Sequence, residues 1–239
     1  NSAEGKNGEI LSGWKLRNSN KPARVSEKHS ETAFMTNRAM EFIEESSEKP
    51  WFLHLSYIKP HWPYIAPSPY HNMFSQNQFS PVQRSEIQKK DMNPVYKAFV
   101  ETRVSKTFSK DEVRNTVMSG YMGLIKQIDD NLGRLFKFLE SSGHMDDTMI
   151  VFTSDHGDYQ GDHWLGEKEL FHEQSVRVPM IIYDPSDYAN KTRGTKEERF
   201  IEAIDLLPTF LDAVESPASK HRLEGDSLMP LLKGESTKD

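Results

Sequence analysis

No cysteine occurs in the 239 residues. That excludes disulfides and thiolate metal ligands within the chain, and it leaves the compartment open, because proteins of many locations do without cysteine. No apolar run approaches the roughly 18 to 20 residues that cross a bilayer. The opening "NSAEGKNGEILSGWK" also lacks the basic-then-apolar order of a signal peptide. A membrane partner is therefore not expected. Basic blocks are missing too: 36 Asp and Glu outnumber 30 Lys and Arg, for a formal net charge of −6. Without a positive stripe to neutralise phosphates, nucleic acid is not an expected partner either. What is present is length enough for one substantial domain with an ample core. The polar start at Asn1, with no strand signal around it, reads as a cut end, and the chain is expected to be a fragment.

Residues 1–29 are rich in Lys, Asn, Ser and Gly and read as a polar connecting segment without chemistry of its own. From Ser30 onward the pattern changes. Phe34, Met35, Ala39, Phe42 and Ile43 recur at helical spacing, and "KP" ends that helix. "WFLHLSYI" (51–58) has the length and β-forming content of a strand buried on both faces, with His54 as a hydrogen-bonded core histidine. Four prolines in "KPHWPYIAPSPYHNMF" then forbid regular helix and predict a stiff extended loop. Residues 71–108 read as a long loop or an excursion with small elements. Ser109 with Glu112 forms a capping-box pattern ahead of an apolar helical repeat from Val117 to Leu139, which "SSG" stops. "TMIVFTS" (148–154) and "VPMIIYD" (178–184) predict two more buried strands, and "FIEAIDLLPTFLDAV" predicts a short strand and a helix capped by Asp205, with Pro208 in its first turn. Strands alternating with helices predict an α/β layer fold with a mostly parallel central sheet flanked by helices.

In such sheets, sites form beyond the carboxyl ends of the strands. If the strands at 51–58 and 148–154 run parallel, Lys59 and His61 from one and Asp155 and His156 from the other emerge on one edge. A carboxylate beside an imidazole suits a divalent cation such as Zn, Mn or Fe, whereas an all-oxygen shell suits Ca or Mg better. Two ligands do not close a site, and the same "SDHGD" also reads as a turn. Lys168, ending "GDHWLGEK", can neutralise an anionic oxygen or be a solvated surface lysine. His61, between Pro60 and Trp62, can act as a general acid or be a packed histidine. His163 and Trp164 can line a pocket, or Trp164 can fill core. Glu173 and Arg177 read as an ion pair bracing the loop.

Taken together and in order, "KPWFLHLSYIKPHWPYIAPSPYH", "FTSDHGDYQGDHWLGEK", "SVRVPMIIYDP" and "IEAIDLLPTFLDAV" resemble the sulfatase and phosphonate monoester hydrolase group of the alkaline phosphatase superfamily. The phosphonate monoester hydrolase branch is the nearer resemblance, with a similar "PH-x-P" loop and a similar "SDHG…GDHW…GK" stretch. "GEK" stands here where that branch is more often "LGK". The resemblance implies an alkaline phosphatase-like α/β domain, of which residues 30–239 are the later portion. It implies a metal-dependent hydrolase of sulfate esters or of phosphonate and phosphate esters. Asp155 and His156 would be ligands of one divalent cation (Mn, Zn, Fe or Ca). His61 would protonate the leaving group or contact the transferring group, and Lys168 would bind a nonbridging oxygen. Beside what the resemblance implies, Lys59, His163 and Trp164 are expected to contact substrate. The nucleophile of that group is a formylglycine made from cysteine, which this chain lacks. The implied partner is a small anionic ester, and the intact protein is expected to be a possible homo-oligomer. The reading from another class is a noncatalytic binding or scaffold domain on the same fold.

Overall fold

The computed structural model describes residues 2–218 and 221–235, in two units: residues 1–139 with 156–177, and residues 140–155 with 178–239. In the first unit, β1 (Ser2–Glu4) and β2 (Ile10–Ser12) pair antiparallel with Ala3 opposite Leu11. The polar leading segment thus carries a small hairpin. Ala3 is fully buried and bridges Ala23, whose N–H donates to the Ala66 carbonyl at 2.9 Å.

Helix α1 (Glu31–Glu45) begins where Ser30 accepts from the Ala33 N–H at 3.2 Å, a cap that contributes about 1 kcal/mol. Residues 51–58 follow, with side chains alternately inward and outward, and are not part of either ladder. Trp51 meets Phe42 edge-on at 6.4 Å, and the Tyr57 hydroxyl lies 2.7 Å from Thr36 Oγ1. These contacts seat the inward face on α1. Phe52 and Ile58 point outward, 69% and 62% exposed, and His54 is exposed rather than in the core. A period of two, hidden by the unbroken apolar run, governs this segment.

Residues 71–108 contain α2 (Pro94–Val100) and α3 (Arg103–Phe108), capped by Asn93 and Thr102. Helix α4 (Asp111–Ser142) then runs for 32 residues, about 48 Å at the usual rise. It ends before Gly143, whose φ of +80° is cheap only for glycine. The expected capping box does not form: the Ser109 hydroxyl donates to the Ser105 carbonyl and closes α3 instead.

The proline loop lies on α4 because α4 has no side chain at two places. A Cβ on Gly123 would sit well inside contact distance of the Tyr70 carbonyl oxygen, and one on Gly120 would collide with the Tyr64 and Ser19 carbonyl oxygens. Tyr64, Ala66 and Tyr70 from the loop join Leu16, Phe108, Val117 and Leu124 in one buried cluster. Buried polar groups of α4 are matched: Gln127 donates to Ser30 Oγ at 2.7 Å, Asn131 to Glu27 at 3.1 Å, and Arg114 to the carbonyls of Gln160 and Ser80.

In the second unit, β3 (Ile150–Thr153) and β4 (Met180–Tyr183) pair antiparallel, with Thr153 opposite Met180. The first unit holds the short α5 (Glu173–Val176), while α6 (Leu206–Ala213) and α7 (Met229–Leu232) belong to the second. Asp205 makes no side-chain cap to α6. Its carboxylate instead accepts the N–H groups of Glu202 and Asp226, at 2.8 and 2.9 Å, and pins two loops together. The mostly parallel central sheet is not found among the described residues, since both ladders are antiparallel. Residues 51–58 and β3 also fall in different units, so an argument from two parallel neighbours does not apply within either.

Candidate active site

Two loops of the first unit, far apart in sequence, bring a lysine onto a histidine. Lys168 Nζ lies 3.1 Å from His61 Nε2, across 107 positions of chain. His61 Nδ1 is 2.8 Å from the Trp62 carbonyl, which can only accept, so this nitrogen carries the proton. The Nε2 lone pair then faces the ammonium. Both groups are open to solvent.

The loop on the His61 side is tied internally. Lys59 turns its ammonium inward to the Pro63 carbonyl at 3.0 Å and the His61 carbonyl at 3.4 Å. Burial pushes the Lys59 ammonium below its ordinary value, and the Glu31 carboxylate partly opposes that. Lys59 therefore staples the loop from within. The peptide bonds before Pro60, Pro63 and Pro69 are cis.

The other loop is tied as firmly. The Gly157 N–H donates to the Ser175 carbonyl at 2.7 Å, and the Ser175 hydroxyl donates to the Lys168 carbonyl at 2.6 Å. A Cβ at Gly157 would overlap the Gln174 carbonyl oxygen, so only glycine allows this approach. The Tyr159 N–H holds the Glu167 carbonyl at 2.8 Å. The two loops are joined by Asp158, which sequence reasoning passed over although it is the second acid of "SDHGD". Tyr64 donates to its Oδ2 at 2.7 Å and the Gln160 N–H to its Oδ1 at 3.0 Å. Burial raises the Asp158 carboxyl, and burial together with Asp158 raises the Tyr64 phenol.

His163 and Trp164 face their own loop's supports. His163 Nδ1 meets Gln88 Nε2 at 2.8 Å and its Nε2 meets Gln174 Oε1 at 3.1 Å, so both ring nitrogens are engaged. Trp164 donates to the Ser85 carbonyl at 2.9 Å, and the Lys89 ammonium sits 3.3 Å from the centre of its ring. Both residues have positive φ, 52° and 62°. Glu173 and Arg177 do pair, at 3.4 Å, but on the exposed surface, where such a pair contributes little. His172 stacks on His163 with ring centroids 4.2 Å apart, and Tyr159 and Tyr96 pack around it.

Burial, and secondarily His163, holds the His172 imidazole below its ordinary value of 6.5. The unfolded chain therefore takes up this proton at a higher pH than the folded one does. Stability from this group is complete above about pH 6.5 and falls as pH drops through that value toward the lower folded pKa. The melting temperature of the protein should decline between pH 7.5 and 5.5, and His172→Gln should decline less. Parallel declines would place the cause elsewhere.

Asp155 and His156 are consecutive, Asp155 closing the second unit's strand segment and His156 opening the first unit's loop. Asp155 is exposed and accepts from Ser154 at 3.4 Å, while His156 is half-buried with Nδ1 2.7 Å from the Gly157 carbonyl. A carboxylate and an imidazole suit a divalent cation in donor chemistry, but among the described residues no group of three or more metal-binding side chains forms. These two supply part of a coordination shell at most. No helix of the described residues is long and apolar enough to cross a membrane.

The chain is similar to sulfatases and to phosphonate monoester hydrolases. The chain is 36% identical over 227 residues to the multifunctional alkaline phosphatase superfamily protein PehA of Trinickia caryophylli, covering 89% of this chain and 43% of that protein. It is 30% identical over 206 residues to an arylsulfatase of Clostridium perfringens, covering 84% and 42%. The phosphonate monoester hydrolase SpPMH of Silicibacter pomeroyi superposes with a TM-score of 0.86 at 29% identity, covering 99% of this chain and 46% of that one. The chain thus spans less than half the length of these relatives. The sulfatase family model matches residues 6–216, and the chain belongs to the sulfatase family, within the alkaline phosphatase superfamily.

Proposed function

We propose that the whole protein hydrolyses small anionic esters, sulfate esters or phosphonate and phosphate monoesters. The observation that carries this reading is the Lys168–His61 contact at 3.1 Å, an ammonium and an imidazole converging at an open surface. An anionic ester oxygen entering there meets the Lys168 charge, which offsets charge gathering on a nonbridging oxygen. His61 takes a proton on Nε2 and delivers it to the oxygen of the departing alcohol or phenol, while Nδ1–H stays on the Trp62 carbonyl. Without that proton the alcohol would have to leave as an alkoxide.

Asp155 and His156 are proposed as two ligands of a divalent cation. When bound, that cation supplies Lewis-acid stabilisation of the ester oxygens. Further ligands, and the formylglycine nucleophile, would come from outside these residues. Residues 51–58, with side chains alternately inward and outward and the composition of a strand, are proposed as a strand of a parallel sheet completed by segments of the whole protein.

The test combines metal analysis of the whole protein with hydrolysis of 4-nitrophenyl sulfate and of the 4-nitrophenyl ester of phenylphosphonic acid. Asp155→Ala and His156→Ala should each lose most of the bound metal and most of the activity. The preferred substrate then separates sulfatase from phosphonate monoester hydrolase. Full metal content with full activity in both variants would sink the metal assignment, and an intact wild type that turns over neither ester would favour a noncatalytic role.

A further inference from the structure

The loop that carries His61 and the loop that carries Lys168 are linked at the surface and again in the interior. The surface link is the Lys168–His61 contact itself. The inner link is the hydrogen bond that Tyr64 donates to Asp158 Oδ2 at 2.7 Å. Its ends are tied closely to the two cationic side chains. Tyr64 is three residues after His61, and Asp158 precedes Tyr159, whose N–H holds the carbonyl of Glu167, the neighbour of Lys168. The chain thus closes a small ring: His61 to Tyr64, Tyr64 to Asp158, Tyr159 to Glu167, and Lys168 back to His61.

Which link governs the ring follows from their surroundings. The surface link joins two side chains that water can separate, and contacts of that kind hold little on their own. The inner link is sheltered, because Tyr64 is buried, stacked on Trp62 at 6.4 Å and edge-on to Phe108 and Tyr121 at 6.2 and 5.9 Å. Its ring has no room to swing. The Gln160 N–H fixes the second oxygen of Asp158 at 3.0 Å, so donor and acceptor are both pinned. A hydrogen bond to a carboxylate kept from water is among the stronger ones. Phenylalanine would fill the same ring site, so packing accounts for the ring of Tyr64 and leaves its hydroxyl to Asp158.

We propose that Tyr64 and Asp158 are positioning residues, which set the distance between the His61 imidazole and the Lys168 ammonium without touching substrate. The catalytic consequence rests on the hydrolase reading, but the coupling of the two loops does not. An ester held at Lys168 receives its proton from His61 only if the imidazole reaches the leaving oxygen, and a displacement of about 1 Å there costs up to about 10²-fold in rate.

The experiment follows the His61 ring by NMR in the whole protein carrying isotope-labelled histidine, its signal identified by its loss in His61→Ala. Lys168→Met takes the ammonium away from Nε2 and should shift that signal. In a Tyr64→Phe background the same change should shift it by less than about half as much. Asp158→Asn should keep more of the coupling than Tyr64→Phe, since its Nδ2 can donate to the Tyr64 hydroxyl while its oxygen still takes the Gln160 N–H. In turnover, Tyr64→Phe should lower kcat/KM by about 10- to 100-fold, with the larger losses on the poorer leaving groups. A smaller folded fraction would instead scale every ester alike. No shift on Lys168→Met in wild type, or equal shifts in wild type and Tyr64→Phe, overturns the positioning role whatever the turnover, and so does a loss of activity uniform across leaving groups. A coupling that falls in Tyr64→Phe, in a protein that hydrolyses no ester, refutes the hydrolase reading and keeps the positioning.

Discussion

His61→Ala is expected to lower kcat/KM for ester hydrolysis by about 10²- to 10⁴-fold, with the larger losses on the poorer leaving groups. The dependence on leaving group is the informative part. 4-Nitrophenolate departs with little need of a proton, whereas phenolate and alkoxides need one, so a series of esters should show a steeper dependence of rate on leaving-group pKa in the variant. Lys168→Ala should cost activity across the whole series with little change of slope, because charge on a nonbridging oxygen is common to all of them. His61 is exposed and Lys168 half-buried, and the Lys168 contact that ties its loop is made by its main-chain carbonyl, so neither change should disturb folding. Equal slopes in wild type and His61→Ala would remove the acid role from His61.

Gly120→Ala is expected to destabilise the protein by about 1–3 kcal/mol, although alanine is the better helix former. The new methyl would meet two main-chain oxygens, those of Tyr64 and Ser19, the second at 2.7 Å. Neither is the end of a side chain that could rotate away. Either α4 shifts or the proline loop lifts, and His61 moves with the loop. Gly133→Ala on the same helix, where nothing lies within 4 Å of the added methyl, should instead stabilise by roughly 0.5–1 kcal/mol. Urea unfolding of the two variants checks the contrast. Opposite signs from the same substitution on one helix would isolate loop contact from helix propensity.

The long helix was legible because its apolar period persists to Leu139 and a glycine stands at its end. The strand pair 150–153 and 180–183 and the helix from Leu206 were legible for the same kind of reason, short runs with clear punctuation. Direction was not legible. An apolar run of four residues fits a parallel or an antiparallel neighbour alike, and β3 with β4 took the antiparallel one. In residues 51–58 a continuous apolar string conceals which face is covered, and here the odd-numbered side chains turn inward.

Within the site, His61 and Lys168 could be nominated from residue type and from the resemblance, but only folding shows them touching. Lys59 was nominated by its place after residues 51–58, while its ammonium turns into the loop. Asp158 had no pattern to reveal it, because it is distinguished by Tyr64, 94 positions away.

The loop bearing Lys168 leaves β3 after Thr153 and returns to β4, and its mouth is laced by the register of those strands and by the Thr153 hydroxyl on the Pro179 carbonyl, 26 positions on. It is topologically an enlarged hairpin turn. The entropy of closing such a turn grows only logarithmically, about 0.6 kcal/mol for each doubling of its length. The expense of exchanging this segment is therefore set by packing and not by closure: Asp158 is held by Tyr64, Tyr159 and Leu165 are buried, and any replacement between the same two strands would have to supply those contacts again.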